Sequence, residues 1–246
     1  MTNEISNNVS VINGNTNTVI ATVTVGSLPI GVDVNPTTNR IYVANEGTNN
    51  VSVIDGNTNT VIATVTVGSG PFGAWVNPTT NRIYVANAVS NNVSVISGLT
   101  NTVIATIPVG AQPLGVAANP ITNRIYVANS VSNNVSVISG LSNTVIATIP
   151  VGTQPGGVVV NPNTNLIYVT NTAANNVSVI NGNTNTVIAT IPVGNTPLGL
   201  AVNPLTNGIY VANQISNNIS VIDGNTNTVI ATITVGTGPA GVSLNP

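Results

Sequence analysis

Cysteine and histidine are both absent from this chain of 246 residues. The first absence excludes a disulfide framework and any thiolate nucleophile. The second removes the side chain most used as a general base and as a ligand for transition metals. Lysine is missing as well, so Arg40, Arg82 and Arg124 carry all the basic charge. Five carboxylates, Glu4, Asp33, Glu46, Asp55 and Asp223, outnumber them and leave a net charge of −2. Such a chain has no electrostatic footprint for nucleic acid, and no partner of that class is expected. Charged residues make up 3% of the chain, against about 25% in ordinary domains. Apolar runs are short and broken by Asn, Thr and Gly, far below the length of a membrane-spanning helix. One Trp, one Phe and five Tyr are too few for the aromatic girdles of a membrane β-barrel. No membrane insertion is therefore expected. Met1 runs into TNEISNN, which lacks the form of a signal peptide.

What is present is one phrase written six times. Asn-Pro pairs fall at 35, 77, 119, 161, 203 and 245, a constant period of 42 residues. A fixed period in this range signals a solenoid, a propeller or an array, and outranks any local reading. Residues 89–113 and 131–155 are nearly identical, which points to recent internal duplication or to a designed repeat. In the second repeat the β-rich runs are GVDVN (31–35), RIYVAN (40–45), NVSVI (50–54) and TVIATVTV (60–67). Between them stand NPTT, EGTN, DGNTN and GSGP, each with turn chemistry from Pro, Gly, Asn or Asp. Short β-branched runs between such turns read as antiparallel strands, and nothing has helical periodicity.

The fourth run places Pro108, Pro150 and Pro192 inside a strand. Proline cannot donate to a ladder and sits on edges or at bulges, so the fourth strand is expected outermost. The first run, rich in small residues, suits a crowded inner position. Four-stranded meanders ordered from inner strand to outer edge make a β-propeller. A β-helix is the competing reading, but its parallel rungs need no proline-tolerant edge in every repeat. The expected fold is therefore all-β, a six-bladed β-propeller of four-stranded antiparallel blades forming a single domain over 1–246.

IYVAN, its variant YVTN at Tyr168–Asn171, NNVSVI and NTVIATI with a following VG and Pro resemble the YVTN family of β-propellers. The resemblance covers essentially the whole chain. It implies a repeat propeller of the surface-layer or secreted type, and hence an extracellular or cell-surface location. Members act mostly as binding or interaction scaffolds. This chain departs from the family's usual Pro-Asp-Gly turn, carrying Asn-Pro-Thr-Thr-Asn instead, and it has unusually few charges.

Counting back by one period, only Met1, Thr2 and Asn3 remain of a second strand at the N-terminus, followed by third and fourth strands at 8–12 and 18–25. The C-terminus supplies a first strand at 241–245. One blade is thus expected to be composed of both termini and to lack most of its second strand. Three outcomes stay open: an imperfectly closed ring, a slot filled by a second chain, or a segment of a longer array.

Strand order assigns the loops to two ends of each sheet. First-to-second and third-to-fourth loops share a uniform end. Second-to-third loops (EGT, AVS, SVS, TAA, QIS) and the approaches to the first strand (SLPI, SGPF, AQPL, TQPG, NTPL, TGPA) share a variable one. Ligands bind where side chains differ and converge. The most variable inner-strand position holds Asp33, Trp75, Ala117, Val159, Ala201 and Ser243. Asp33, Glu46, Phe72, Trp75, Gln112, Gln154 and Ser243 are the candidate ligand-binding residues, with Trp and carboxylate suited to a sugar or a peptide side chain. The competing reading is that these residues fill space between blades.

Without His or Cys, and with no evident pair of carboxylates flanking one bond, no catalytic residue is expected, and no metal or cofactor. The DGNTNT loops lack the spacing and closing Glu of a calcium-binding EF-hand. Asn-X-Ser sequons at Asn8, Asn50, Asn92, Asn134, Asn176 and Asn218 repeat one strand-opening feature, for which a structural use is expected. The reading that follows is a non-enzymatic binding scaffold for an unknown protein, peptide or glycan. Its alternatives are a structural array self-associating through charge-free edges, and an amplified propeller with no evolved partner.

Overall fold

The computed structural model describes residues 1–244. Asn245 and Pro246, the last Asn-Pro mark, lie outside the described residues. The chain divides into two compact units, 1–113 and 114–246. The first opens with a three-stranded sheet of β1 (Thr2–Asn3), β2 (Asn8–Asn13) and β3 (Thr18–Thr24). A four-stranded meander follows: β4 (Pro29–Asn35), β5 (Arg40–Asn45), β6 (Asn50–Asp55) and β7 (Thr60–Thr66). A second such sheet spans 71–108. The other unit carries three more, over 113–150, 155–192 and 197–234. Every sheet is antiparallel, and its spatial order is its chain order. The 42-residue, four-stranded unit of a β-propeller is thus present in five complete copies and one partial one. A 3-10 turn at Glu46–Thr48 is the one helical element among the described residues.

The burial of each strand explains its sequence. Second and third strands are covered on both faces, which is why IYVAN and NVSVI carry no charge and do not alternate between buried and exposed residues. Outer strands such as β7 bury one residue, here Val65, and expose most of the others. Sheets stack face to face within each unit. In the first, Tyr42, Ala44, Val51, Val53 and Val65 pack on Ala74, Val76, Ile83, Val85 and Ile96. In the second, Tyr168, Val177, Val179 and Ile191 pack on Leu200, Ile209, Val211 and Ile222. First strands of neighbouring repeats approach closely. A Cβ on Gly31 would stand 2.3 Å from the Phe72 carbonyl oxygen, and one on Gly157 2.6 Å from that of Leu198. The fourth strand lies at the edge of each sheet. Pro108, Pro150 and Pro192 are its last residues, opposite Asn92, Asn134 and Asn176. The placement expected from proline chemistry is the one observed.

Each repeat is pinned by a buried asparagine at the end of its second strand. Asn45 Nδ2 donates to Asn50 Oδ1 (2.8 Å) and to Ser52 Oγ (2.9 Å). Asn87, Asn129, Asn171 and Asn213 make the same pair of bonds, and Asn3 does so in the partial sheet. The six sequons are accounted for: their Asn and Ser side chains are the acceptors of this latch.

The C-terminal first strand expected over 241–245 does not form within the described residues, since 239–244 carry no strand. A first strand is held by the second strand that follows it, as Val32 and Asp33 are by Val43 and Tyr42; residues 239–244 are paired in no sheet. One backbone bond, Gly199 N–H to Ala240 C=O at 3.0 Å, tethers the segment. At the other end, the second-strand remnant is present: β1 pairs with β2 through Thr2–Val9 and Asn3–Asn8.

Replacing Asn129 by Ala removes both latch bonds in a fully buried site and leaves the groups they met without that partner. The expected cost is about 1–3 kcal/mol in urea unfolding. A change within about 0.5 kcal/mol, the range of an unremarkable surface substitution, would show that the latch does not hold the sheet.

Candidate functional site

Backbone bonds between loops establish the two ends of each sheet. Glu46 and Gly47 donate to Leu28 and Ser27 at 2.9 and 3.0 Å, joining a second-to-third loop to the approach of the same repeat's first strand. Gly56 donates to Asn39 at 2.8 Å, joining the loops of the opposite end. The variable end is organised by asparagine. Asn49, Asn91 and Asn133 Oδ1 accept the N–H groups of Gly70, Gln112 and Gln154, each at 2.9 Å. These bonds hold Gln112 and Gln154 in the left-handed region, with φ of 54° and 53°, a conformation uncommon for glutamine. Their side chains are exposed, while their backbones form the turn.

Asp33 is the candidate with a built environment. It sits in β4 opposite Tyr42, and Trp75 holds the matching place opposite Tyr84 in the next first strand, Pro71–Asn77. The carboxylate reaches across: Oδ2 accepts the Val76 N–H at 2.7 Å, and Oδ1 the Val34 N–H at 2.9 Å. Burial pushes the Asp33 carboxyl above its ordinary value, and the bonds from Val76 and Val34 pull against that rise. Each oxygen retains a lone pair beyond its backbone bond. Asp33 is half-buried, as is Trp75, so the pair is accessible. Phe72 lies on the same neighbouring strand, its carbonyl against Gly31. Asp33 thus bonds to the backbone of the strand that carries Phe72 and Trp75.

The remaining candidates stand apart from that group. Glu46 belongs to the 3-10 turn beside Leu28. Gln112 serves the turn before the following repeat. Gln154 and Ser243 belong to the second unit, where Ser243 is exposed and outside any strand. At the equivalent position, Ala117 and Val159 are buried, so there the space-filling reading holds. The Val76 and Val34 N–H groups were not legible as site elements. Their only signal is that Val76 lies one residue beyond a full period from Asp33. Among the described residues, no group of three or more carboxylates is placed to hold a metal ion. A shallow groove in the second unit, lined by Pro192, Gly194, Asn218 and Thr232 among others, has no titratable side chain in its lining.

A family model described as lactonase, 7-bladed beta-propeller, matches residues 33–237. No curated protein matches by sequence. Among solved structures, hydrazine synthase of Kuenenia stuttgartiensis superposes with a TM-score of 0.85 at 20% identity, over 97% of this chain and 84% of that one. A functionally unknown protein from Desulfotomaculum acetoxidans DSM 771 superposes with a TM-score of 0.78 at 17% identity, over 92% and 78%. At such identities these likenesses establish the fold. The family description names seven blades, while the described residues form six sheets.

The family match corrects the expectation of a non-enzymatic scaffold, together with its structural and partnerless alternatives. A family described by a hydrolytic activity now stands where a purely interacting one was expected. Histidine, cysteine and carboxylate pairs are visible in a sequence; a single carboxylate whose setting is made of backbone N–H groups is not.

Because burial dominates at Asp33, its folded-state pKa lies above the ordinary 3.8. The native state then binds more protons than the unfolded one over the window between those values, and this group's contribution to stability falls as pH rises through it. Melting temperatures of the wild type minus those of Asp33→Asn are expected to decline from pH 3.5 upward and then level off. A difference that stays flat, or grows with pH, would contradict the assignment of burial as the larger effect.

Proposed function

The chain belongs to the lactonase, 7-bladed β-propeller family, and from that membership we propose that it hydrolyses a cyclic ester at Asp33. The observation that carries this reading is the Asp33 carboxylate, held between two first strands by the N–H groups of Val34 and Val76. As general base, it takes a proton from a water molecule while the water oxygen attacks the ring carbonyl carbon. The tetrahedral adduct collapses with cleavage of the ring C–O bond. The departing alkoxide recovers the proton from Asp33, and the product is the open-chain hydroxy acid. A carboxyl raised by burial suits this role, because a higher pKa makes its carboxylate a stronger base. Trp75 provides a flat apolar face for the ring.

Within the family, Tyr168–Asn171 and the repeated IYVAN support placing the chain with YVTN-type repeat propellers, which are secreted or surface-layer proteins. An extracellular setting accompanies that placement. Protease treatment of intact cells is expected to remove the protein; its survival until the cells are lysed would argue against this location.

Purified protein is expected to accelerate ring opening in a panel of five- and six-membered lactones followed by pH-stat. The rate should rise with pH through an apparent pKa above the ordinary aspartate range. Asp33→Asn should lower kcat by about 100- to 10,000-fold, the usual contribution of a positioned base, with an unchanged circular dichroism spectrum. Background rates across the panel, or full activity in Asp33→Asn, would sink the reading.

A further inference from the structure

The repeats act as controls for one another at the junction between a second strand and the next repeat's third-to-fourth loop. Arg40 opens β5 and donates from Nη1 to the Gly98 carbonyl of the following repeat at 2.7 Å. Arg124 makes the same bond to Gly182. Both guanidinium groups also lie against a buried tyrosine two residues on, Tyr42 and Tyr126, and their charge offsets part of the effect of burial on its hydroxyl. The residue before each accepting glycine is uncharged: Ser97 before Gly98, Asn181 before Gly182.

In the fifth repeat both halves of this arrangement are reversed. Leu166 stands where the arginine would be, and Asp223 precedes the facing Gly224. A leucine side chain reaches no further than the Cδ of an arginine, so this repeat supplies no guanidinium of its own to the Gly224 carbonyl. Tyr168 is fully buried and its hydroxyl, like those of Tyr42 and Tyr126, has no hydrogen-bond partner; what it lacks beside them is the neighbouring guanidinium. The hydroxyl lies against the facing loop, since a Cβ on Gly224 would stand 2.6 Å from it. The charge felt there is of the opposite sign: burial first, and Asp223 second, push the Tyr168 hydroxyl up to about 12. Asp223 accepts from Asn225 N–H and Nδ2 at 2.9 and 3.0 Å and from Thr226 Oγ1 at 3.2 Å. Lone pairs remain on a carboxylate so bonded. Asp223 is half-buried and the adjoining Asn225 and Thr226 are exposed, so the junction is approached from solvent on the Asp223 side, with Gly224 and Tyr168 buried behind it.

We propose that the junction of Leu166, Tyr168, Asp223 and Gly224 binds a guanidinium group from outside the chain, the side chain of an arginine, free or within a peptide. The ligand occupies the place that Arg40 and Arg124 fill in their own repeats. Its N–H groups meet the Gly224 carbonyl and the Tyr168 hydroxyl oxygen, and its charge meets Asp223. Guanidinium is preferred to ammonium because its planar fork presents several donors at once to acceptors on two elements. This assignment is independent of the hydrolytic reading.

The test is an NMR titration of isotope-labelled protein with N-acetyl-arginine methylamide, read at the Gly224 amide. N-acetyl-lysine methylamide serves as control, and Gly-Arg-Gly as the peptide arm. Saturable shifts with a millimolar Kd are expected for the arginine compound, with at least about tenfold weaker binding in Asp223→Asn, the loss of one charge-assisted contact. Leu166→Arg should abolish the response by supplying the group from within. Tighter binding of Gly-Arg-Gly would identify a peptide as the source, and equal binding a free guanidinium compound. Absence of saturation at Gly224, an equal response to the lysine compound, or an undiminished response in a folded Leu166→Arg variant would overturn the proposal.

Discussion

The amide of one asparagine, buried at the end of each second strand, is the interaction on which the repeat depends. Asn45, Asn87, Asn129, Asn171 and Asn213 have no exposed surface, and each uses both Nδ2 hydrogens on an Asn and a Ser of the adjoining third strand. A buried amide without partners would be costly. Here it ties together the start of one strand and the end of another, so the register of the hairpin is specified by side chains as well as by the ladder. Slipping the pair by one residue would break both bonds and turn the apolar rows of IYVAN and NVSVI to the wrong faces. The latch also explains how a chain with almost no charge obtains specificity. Uncharged amides and hydroxyls do within the sheet what ion pairs do elsewhere, without the desolvation of full charges.

Asparagine does a second job at the sheet ends. Three in each complete repeat, such as Asn39, Asn49 and Asn59, adopt left-handed φ near 50°, a region that asparagine tolerates better than other side chains. Asn49 and its equivalents then accept an N–H from the approach to the next first strand. The glutamines at 112 and 154 are part of this scaffolding through their backbones. Variation among the loops therefore does not by itself mark a recognition surface, because the same positions are held by backbone bonds whatever their side chain.

Scarcity of charge gives the few charges present more influence. Asp33 is held by the N–H groups of Val76 and Val34, and burial outweighs them. Asp223 faces a junction from which the arginine has been replaced, so its field reaches a buried tyrosine. Asp33 and Leu166 depart from the pattern of the other repeats, whereas Asp223 has a counterpart in Asp55; in both places the departure changes local electrostatics while leaving the fold intact. Duplication makes such departures readable, since the remaining copies show what the unperturbed site contains.

Strand order and edge were legible in the sequence because they follow from local chemistry multiplied by repetition; the first strand expected over 241–245 was not found, since a strand also needs a neighbour to pair with. Turn residues punctuate every strand, and proline confines the fourth to an edge. The Asn-X-Ser repeats were visible too, though the latch they serve was not, since its geometry requires the two strands to be paired. Site residues were only partly legible. The period placed Asp33 and Trp75 at one position, but the bond from Asp33 goes to Val76, one residue out of phase, a contact between sheets that local sequence does not encode. Arg40 likewise meets Gly98 across 58 residues. Local sequence determined the sheets of this protein; only their packing decided which carboxylate lies between backbone donors, and which arginine position faces an acceptor left without it.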